Sequence, residues 1–286
     1  CWKRGELLGS GAFGKDLLGL NDDDGTLMAA KQIPLSNYAS GEDMEELLEL
    51  LEREITLMSR LRHDNIVQYL GSQRDEYIAT VGPRKGSGTG SSPAAAAPPV
   101  EKREEFLTIF MEFVPGGSIA SLLKRFGRLN ERLVRIYTRE ILMGLAYLHA
   151  HGCVRASLAC VRGFEGCIEF PQGAPPSPPH CSVVHRDIKG GNILVDRSGA
   201  CKLSDFGASK SLTDLDNASV SKQGPRSLRG TPAFMAPEVV KQTGYGRQSD
   251  IWSVGCTVIE MATGKPPWSN YDNPVAAMFA IAVSNE

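Results

Sequence analysis

No stretch of this 286-residue chain approaches the run of about 18 apolar residues that a membrane-spanning helix needs. Its seven cysteines, an odd number, fall at no paired spacing, which argues against a secreted disulfide scaffold. Basic charge is not in excess either: 31 Lys and Arg against 33 Asp and Glu leave a net charge of −2 and offer no basic face to nucleic acid. These absences leave a globular protein with a cytoplasmic or nuclear address as the expectation. The chain opens at Cys1-Trp2 without an initial Met, so it reads as a fragment whose upstream targeting segment, if there is one, is out of view. What is present is ample core material: 42% of residues are apolar, enough for one large domain or two lobes.

The most informative segment is Val184-His185-Arg186-Asp187-Ile188-Lys189-Gly190-Gly191-Asn192-Ile193-Leu194, followed by Asp205-Phe206-Gly207. It sets carboxylate, amine, carboxamide and carboxylate at the spacing that phosphoryl transfer requires. A hydroxyl attacking a phosphate must be aimed and must shed its proton late, which calls for one carboxylate at the nucleophile, Asp187. Dense phosphate charge needs magnesium, and magnesium needs hard oxygen ligands, here Asn192 and Asp205. Lys189, two residues past Asp187, adds a cation on the side of the transferred group.

Near the start, Glu6-Leu7-Leu8, Asp16 to Leu20 and Leu27 to Ile33 read as strands. Gly9-Ser10-Gly11-Ala12-Phe13-Gly14 lies between the first two and the Asp24-Gly25 turn between the second and third. Glycines let backbone amides approach phosphates without a Cβ in the way. The other common meaning of G-x-G-x-x-G, a dinucleotide fingerprint, needs a helix directly after the glycines, and the hairpin disfavours it. Ser40-Gly41-Glu42-Asp43 resembles a capping box that opens a helix with Leu47, Leu50, Leu51 and Met58 at helical spacing. Glu54 falls on that apolar face. There it either meets a basic partner, for which Lys31 is the candidate, or reaches solvent at the edge of the stripe. Asn130 to His149 reads as an amphipathic helix with Leu133, Ile136, Tyr137, Ile141, Leu145 and Leu148 inward.

Taken together, these motifs resemble the protein kinases: the H-R-D-x-K-x-x-N catalytic loop, the D-F-G magnesium loop, the glycine loop, and Met28-Ala29-Ala30-Lys31 in place of V-A-I-K. The runs Gly230-Thr231-Pro232-Ala233-Phe234-Met235-Ala236-Pro237-Glu238-Val239 and Asn65-Ile66-Val67-Gln68-Tyr69-Leu70-Gly71 resemble MEKK-like MAP kinase kinase kinases, particularly of plants and green algae.

The resemblance implies an α+β, bilobal fold holding ATP and Mg2+ between its lobes. The small β-rich N-lobe with one helix would span residues 1–111, the hinge 112–117, and the larger, mainly helical C-lobe 118–286. It further implies a catalytic set of Asp187, Lys189, Asn192, Asp205, Lys31 and Glu54, with Asn192 and Asp205 on the metal. Leu8, Gly9, Ser10, Gly11, Ala12, Phe13, Gly14, Ala29, Lys31, Met111, Glu112 and Val114 would contact the nucleotide. The implied reaction is transfer of the γ-phosphate of ATP to serine or threonine of a MAP kinase kinase. Activation would come from an upstream kinase or from autophosphorylation at Ser227, with Arg186 as cationic partner of the phosphate, although Ser227 also reads as a plain loop serine. Thr231 with Lys189 is the pairing seen in Ser/Thr kinases, and Asp250 would bond the catalytic-loop backbone. Neither nucleic acid nor membrane is an expected partner.

Four departures stand against the pattern. Asp16 occupies the position where kinases usually carry a valine over adenine, and a carboxylate there would weaken nucleotide binding. A one-residue slip of the strand would bring Leu17 there instead, at the cost of flipping every following side chain. Two insertions interrupt the chain. One, at about 83–105, is low in complexity. The other, 155–184, holds Cys160, Cys167, His180 and Cys181, with Cys153 at its margin, in no familiar zinc spacing. It also reads as untranslated sequence carried into a gene model. Finally, the chain ends at Glu286, so the last C-lobe helices are expected to be missing and Glu238 to lack an arginine partner. Asp16, the second insertion and this ending motivate a rival reading as a pseudokinase or scaffold; a Ser/Thr kinase of another group is a second rival.

Overall fold

The computed structural model describes residues 1–10, 14–35, 42–81, 100–151, 183–206, 210–211, 231–271 and 273–283. Gly11, Ala12, Phe13, Ser40, Gly41, Gly207, Ser227, the cysteine-bearing stretch and the middle of both insertions lie outside these residues. The chain divides into two compact units, Cys1–Glu49 with Leu70–Met111, and Leu50–Tyr69 with Glu112–Glu286.

The first unit is built on a five-stranded sheet: β1 (Trp2–Ser10), β2 (Lys15–Asn21), β3 (Leu27–Pro34), β4 (Tyr69–Val81) and β5 (Val100–Glu112), in the order β1-β2-β3-β5-β4. β2 and β3 are joined by a loop in which Gly25 takes a left-handed φ of 73° and its N–H donates to the Asn21 carbonyl at 2.9 Å. A left-handed residue there favours glycine, which is why Asp24-Gly25 is legible as a turn. The β2–β3 register runs unbroken from Lys15↔Gln32 to Leu20↔Leu27. The slip that would have exchanged Leu17 for Asp16 therefore does not occur; Leu17 faces Ala30 and Asp16 faces Lys31. The irregularity lies on the other side, where β1 pairs with β2 through shifts between Arg4 and Leu7 and between Leu7 and Gly9. On β3 the residues Met28, Ala30 and Gln32 are buried and alternate with half-buried Ala29 and Lys31, the period of two expected of a strand with one covered face. Trp2 meets Phe110 edge-on with ring centroids 5.3 Å apart.

Helix α1 (Glu42–Arg60) crosses the division between the units, and its buried Leu51, Ile55 and Met58 recur at helical spacing with Glu54 half-buried among them. In the second unit follow α2 (Ile119–Phe126), α3 (Glu131–His151), the short strands β6 (Val183–Val184), β7 (Ile193–Val195), β8 (Cys201–Leu203) and β9 (Lys210–Ser211), then α4 (Pro237–Val240), α5 (Arg247–Thr263) and α6 (Pro274–Val283). β6 pairs with β9 and β7 with β8, both antiparallel. The ends of both expected insertions carry strand structure. Val100 to Glu105 belong to β5, hidden by a charged run, and Val183-Val184 form a buried strand.

Asn130 begins α3 by accepting the Leu133 N–H at 2.9 Å, a side-chain N-cap. The buried stripe is Val134, Tyr137, Ile141, Leu145 and Leu148. Ile136, expected inward, is 42% exposed, because one residue of helix turns it about 100° off the stripe that Tyr137 defines. Gly144 lies against the loop at Asn65: a Cβ there would sit 2.6 Å from the Asn65 carbonyl oxygen and 3.2 Å from Leu203. That loop is held in turn by Asn65 Nδ2 donating to the Cys201 carbonyl at 2.9 Å, and by the Leu203 N–H donating to the Asn65 carbonyl at 2.9 Å.

The close approach at Gly144 makes a prediction. Gly144→Val should cost about 1–3 kcal/mol of stability by pushing α3 off the loop, read as a lowered urea midpoint. An unchanged midpoint would show that the two backbones separate freely.

Candidate active site

The described contacts that position Asp187 lie in the second unit. The loop between β6 and β7 is anchored from α5 by Asp250, only 1% exposed, whose carboxylate accepts the His185 N–H at 2.8 Å and the Arg186 N–H at 2.9 Å and lies 2.8 Å from His149 Nε2 on α3. The same loop is gripped from another turn of α5 by Glu260, whose Oε2 accepts the Gly190 N–H at 3.0 Å. Burial raises the Glu260 carboxyl above its usual value of 4.5, with the Gly190 N–H and the Lys189 charge opposing that rise. Gly190 has no room for a Cβ, which would fall 2.6 Å from Glu260 Oε2.

Held this way, the Asp187 carboxylate accepts four hydrogen bonds from described residues. Oδ2 accepts from Lys189 Nζ and from Asn192 Nδ2, each at 2.8 Å. Oδ1 accepts from the Thr231 N–H at 3.1 Å and from the Thr231 hydroxyl at 3.0 Å. Lys189 Nζ also lies 2.7 Å from Thr231 Oγ1, so the Lys189 and Thr231 pairing read from sequence is a physical contact. Asn192 Nδ2 further donates to the Asp187 carbonyl at 2.8 Å, which turns the carboxamide oxygen to the other side. The Asn192 backbone is tied to the residue before Asp205: its carbonyl accepts the Ser204 N–H at 2.9 Å and the Ser204 hydroxyl at 3.0 Å.

Two residues of this region carry a positive φ without being glycine, Arg186 at 73° and Asp205 at 61°. Such backbone costs roughly 1–3 kcal/mol and persists where surrounding contacts over-determine it. The contacts here are the Asp250 grip on the Arg186 N–H and the burial of Phe206, 2% exposed, against His185 with centroids 5.1 Å apart. Asp205 itself is exposed. The Arg186 guanidinium stacks over the Tyr245 ring at 4.2 Å. Glu238, expected to lack an arginine partner, accepts the Ser249 hydroxyl at 3.0 Å.

The expected nucleotide residues divide between the units. Leu8 precedes the glycine loop, of which Gly9, Ser10 and Gly14 are described, Ala29 and Lys31 are half-buried on β3, and Met111 closes the first unit near the end of β5. A Cβ on Gly14 would overlap the Gln32 carbonyl oxygen, so only glycine fits there. Glu112 and Val114 belong to the second unit. The Glu112 N–H donates to the Gln68 carbonyl at 2.9 Å, and its carboxylate accepts from the Gln68 N–H at 2.7 Å and Lys202 Nζ at 2.9 Å. Glu54 lies on the part of α1 that belongs to the second unit, and the pairing of Lys31 with Glu54 stays an expectation. Sequence reasoning missed Glu260, Ser204 and His149. A buried acidic residue at one end of an apolar helix was the available signal for Glu260; nothing local marked the other two.

Among the described residues no cluster of three or more His, Cys, Asp or Glu could hold a metal, and no helix is long and apolar enough to cross a membrane. Magnesium does not require such a cluster, since one or two side chains and the phosphates of a substrate complete its shell. Asn192 and Asp205, tied through Ser204, fit that requirement.

The hydrogen-bonded set of Asp187, Lys189, Asn192 and Thr231 accords with the class that comparison shows: the chain belongs to the protein kinase domain family, whose model matches residues 2–157 and 180–283. The interruption falls inside the second insertion. Over nearly its full length the chain is similar to part of several curated relatives. It is 42% identical over 284 residues to "Mitogen-activated protein kinase kinase kinase ANP1" of Arabidopsis thaliana, covering 99% of this chain and 33% of that protein. To "Mitogen-activated protein kinase kinase kinase A" of Dictyostelium discoideum it is 40% identical over 284 residues, covering 99% of this chain and 23% of that protein. "Mitogen-activated protein kinase kinase kinase 3" of Homo sapiens is 41% identical over 281 residues, covering 98% of this chain and 35% of that protein. The chain thus spans about a quarter to a third of the length of these relatives.

Two consequences can be measured. Asp250→Ala should leave the His185 and Arg186 N–H groups buried without an acceptor and cost roughly 2–5 kcal/mol by denaturant unfolding; a cost near zero would mean the loop does not depend on this anchor. For Glu260 the native state holds its proton more tightly than the unfolded chain. Its contribution to stability is therefore greatest below the usual carboxylate value and is lost as pH rises through the raised native value. Glu260→Gln keeps an oxygen for the Gly190 N–H, so thermal unfolding followed upward from about pH 4 should show a flatter pH slope than wild type. An identical slope would remove Glu260 as its source.

Proposed function

We propose that this chain is the catalytic domain of a Ser/Thr protein kinase that phosphorylates a MAP kinase kinase. The observation that carries the reading is the hydrogen-bonded set of Asp187, Lys189, Asn192 and Thr231. Mg-ATP would supply the γ-phosphoryl group and the metal charge that offsets its negative oxygens. The chain's own residues do the rest. Asp187, fixed through both oxygens, orients the incoming serine or threonine hydroxyl and takes up its proton as that oxygen bonds the γ-phosphorus and the bond to ADP breaks, ADP leaving with the bridging oxygen. Lys189 keeps an ammonium beside that carboxylate and beside Thr231, where negative charge develops.

The carboxamide oxygen of Asn192 and the carboxylate of Asp205 would hold the metal. Lys31, oriented by Glu54, together with the loop from Gly9 to Gly14, would hold the phosphates. Met111, Glu112 and Val114 would meet the base. Because the Glu112 N–H already donates to Gln68, its contribution there would be its carbonyl. Arg186 would engage a phosphate placed on Ser227 by an upstream kinase or by the chain itself. The likeness to relatives named as MAP kinase kinase kinases supports the choice of substrate.

The test is transfer from Mg-ATP to an inactive MAP kinase kinase and to a generic acceptor protein, by wild type and by Asp187→Asn. Transfer to the MAP kinase kinase that falls about a hundredfold or more in the variant is the expected result. Transfer to the generic acceptor alone would move the substrate to another group, and equal background from both proteins would favour a scaffold.

A further inference from the structure

The strand register gives Asp16 a specific cross-strand neighbour. In the unbroken β2–β3 register Asp16 is the direct cross-strand partner of Lys31, and in the β1–β2 pairing it is the partner of Gly9. Partners across an antiparallel pair project from the same face with Cβ atoms about 5 Å apart. The burial pattern identifies that face: Lys31 and Ala29 are half-buried, whereas Met28, Ala30 and Gln32, on the opposite side of the strand, are buried. Asp16 is half-buried too, and its Oδ2 lies over Gly9, 3.8 Å from where a Cβ on that glycine would be. One carboxylate therefore reaches over the first glycine of the loop on the face that carries the lysine. Partial burial of both groups weakens solvent screening between them. The kinase resemblance implies an uncharged valine at this strand position, and this chain has a carboxylate there.

We infer that Asp16 is a built-in counter-ion to Lys31. It neutralises the ammonium charge that polyphosphate binding uses and occupies the space above Gly9, so a nucleoside triphosphate must displace it to bind. The inference rests on the nucleotide-binding reading of Lys31 given above. It makes Asp16 a residue that sets nucleotide affinity through Lys31. A carboxylate acting only by direct repulsion of the base or phosphates would not need the lysine. The two cases differ in whether the effect of removing the charge depends on Lys31 being present.

The experiment is a double-mutant cycle on the full chain, measuring Mg-ATP affinity by calorimetry for wild type, Asp16→Asn, Lys31→Met and the double variant. Asp16→Asn is expected to bind about fivefold more tightly than wild type, and the same change in the Lys31→Met background to shift affinity by less than about twofold. Equal gains in both backgrounds would overturn the counter-ion role and leave direct repulsion. No gain in either would overturn it as well, with nucleotide binding intact. A second readout needs no nucleotide: the rate at which an amine-acylating reagent modifies Lys31, relative to Lys15 on the opposite face, mapped by peptide mass analysis of the free protein. The ratio should rise about twofold or more in Asp16→Asn as the lysine loses its partner. An unchanged ratio would overturn the pairing. A raised ratio with no ATP binding by any variant would instead keep the pairing and remove the nucleotide reading on which its consequence rests.

Discussion

A buried carboxylate that accepts two consecutive backbone N–H groups is the contact on which the rest of the second unit's chemistry depends. Asp250 reaches from α5 into the loop before β7, and by holding His185 and Arg186 it fixes where the chain enters the turn that presents Asp187. A carboxylate with 1% exposure would be expensive to leave without donors, so the loop and the helix stabilise each other: α5 gains partners for its charge, and the loop gains a shape it could not hold alone. Glu260, ten residues further along α5, repeats the device at Gly190. Between the two grips lie Asp187 and Lys189, so one rigid helix determines both ends of the reactive segment.

This arrangement explains how a non-glycine backbone can carry positive φ at Arg186 and Asp205. Each costs energy that local interactions alone would not offset. Arg186 is held through its N–H by Asp250 and through its side chain by Tyr245; Asp205 sits between Ser204, bonded to Asn192, and the buried Phe206. Strain lies where acid, amine and carboxamide must converge, and packing to either side supports it.

The convergence of Asp187, Lys189 and Asn192 was legible because the three fall within one short stretch of chain, at a spacing that few sequences hold by accident. The first three strands were legible from the glycine loop and the Asp24-Gly25 turn that separate them, and α3 from the helical spacing of its apolar residues; its cap at Asn130 was not read. What stayed hidden was set by distant contacts. Nothing near Glu260 in sequence announces that its partner is the N–H of Gly190, seventy residues upstream. Nothing near His149 shows that it meets Asp250. Ile136 was misplaced because an apolar residue one position off a stripe still looks helical in composition, while geometry turns it to the outside. The strands at the ends of both expected insertions went unread for a related reason. A charged run can be a strand, and two valines can be one when a partner strand, Lys210–Ser211, supplies the pairing.

Asp16 shows how much hangs on parity. The residue type alone said only that a charge stood where an apolar group was expected. With the β2–β3 register in slip by one residue, Asp16 would share a face with Ala30 and Met28, and its charge would have to be accommodated in a buried layer; in the observed register it shares one with Lys31. The same carboxylate is thus a packing defect in one alignment and a counter-ion in the other. The buried face of β3 admits no charge without a partner, which favours the observed register from the core side. The Asp16–Lys31 attraction favours it from the other face, so the substitution that departs from the pattern also helps to hold the strand pairing that gives it a function.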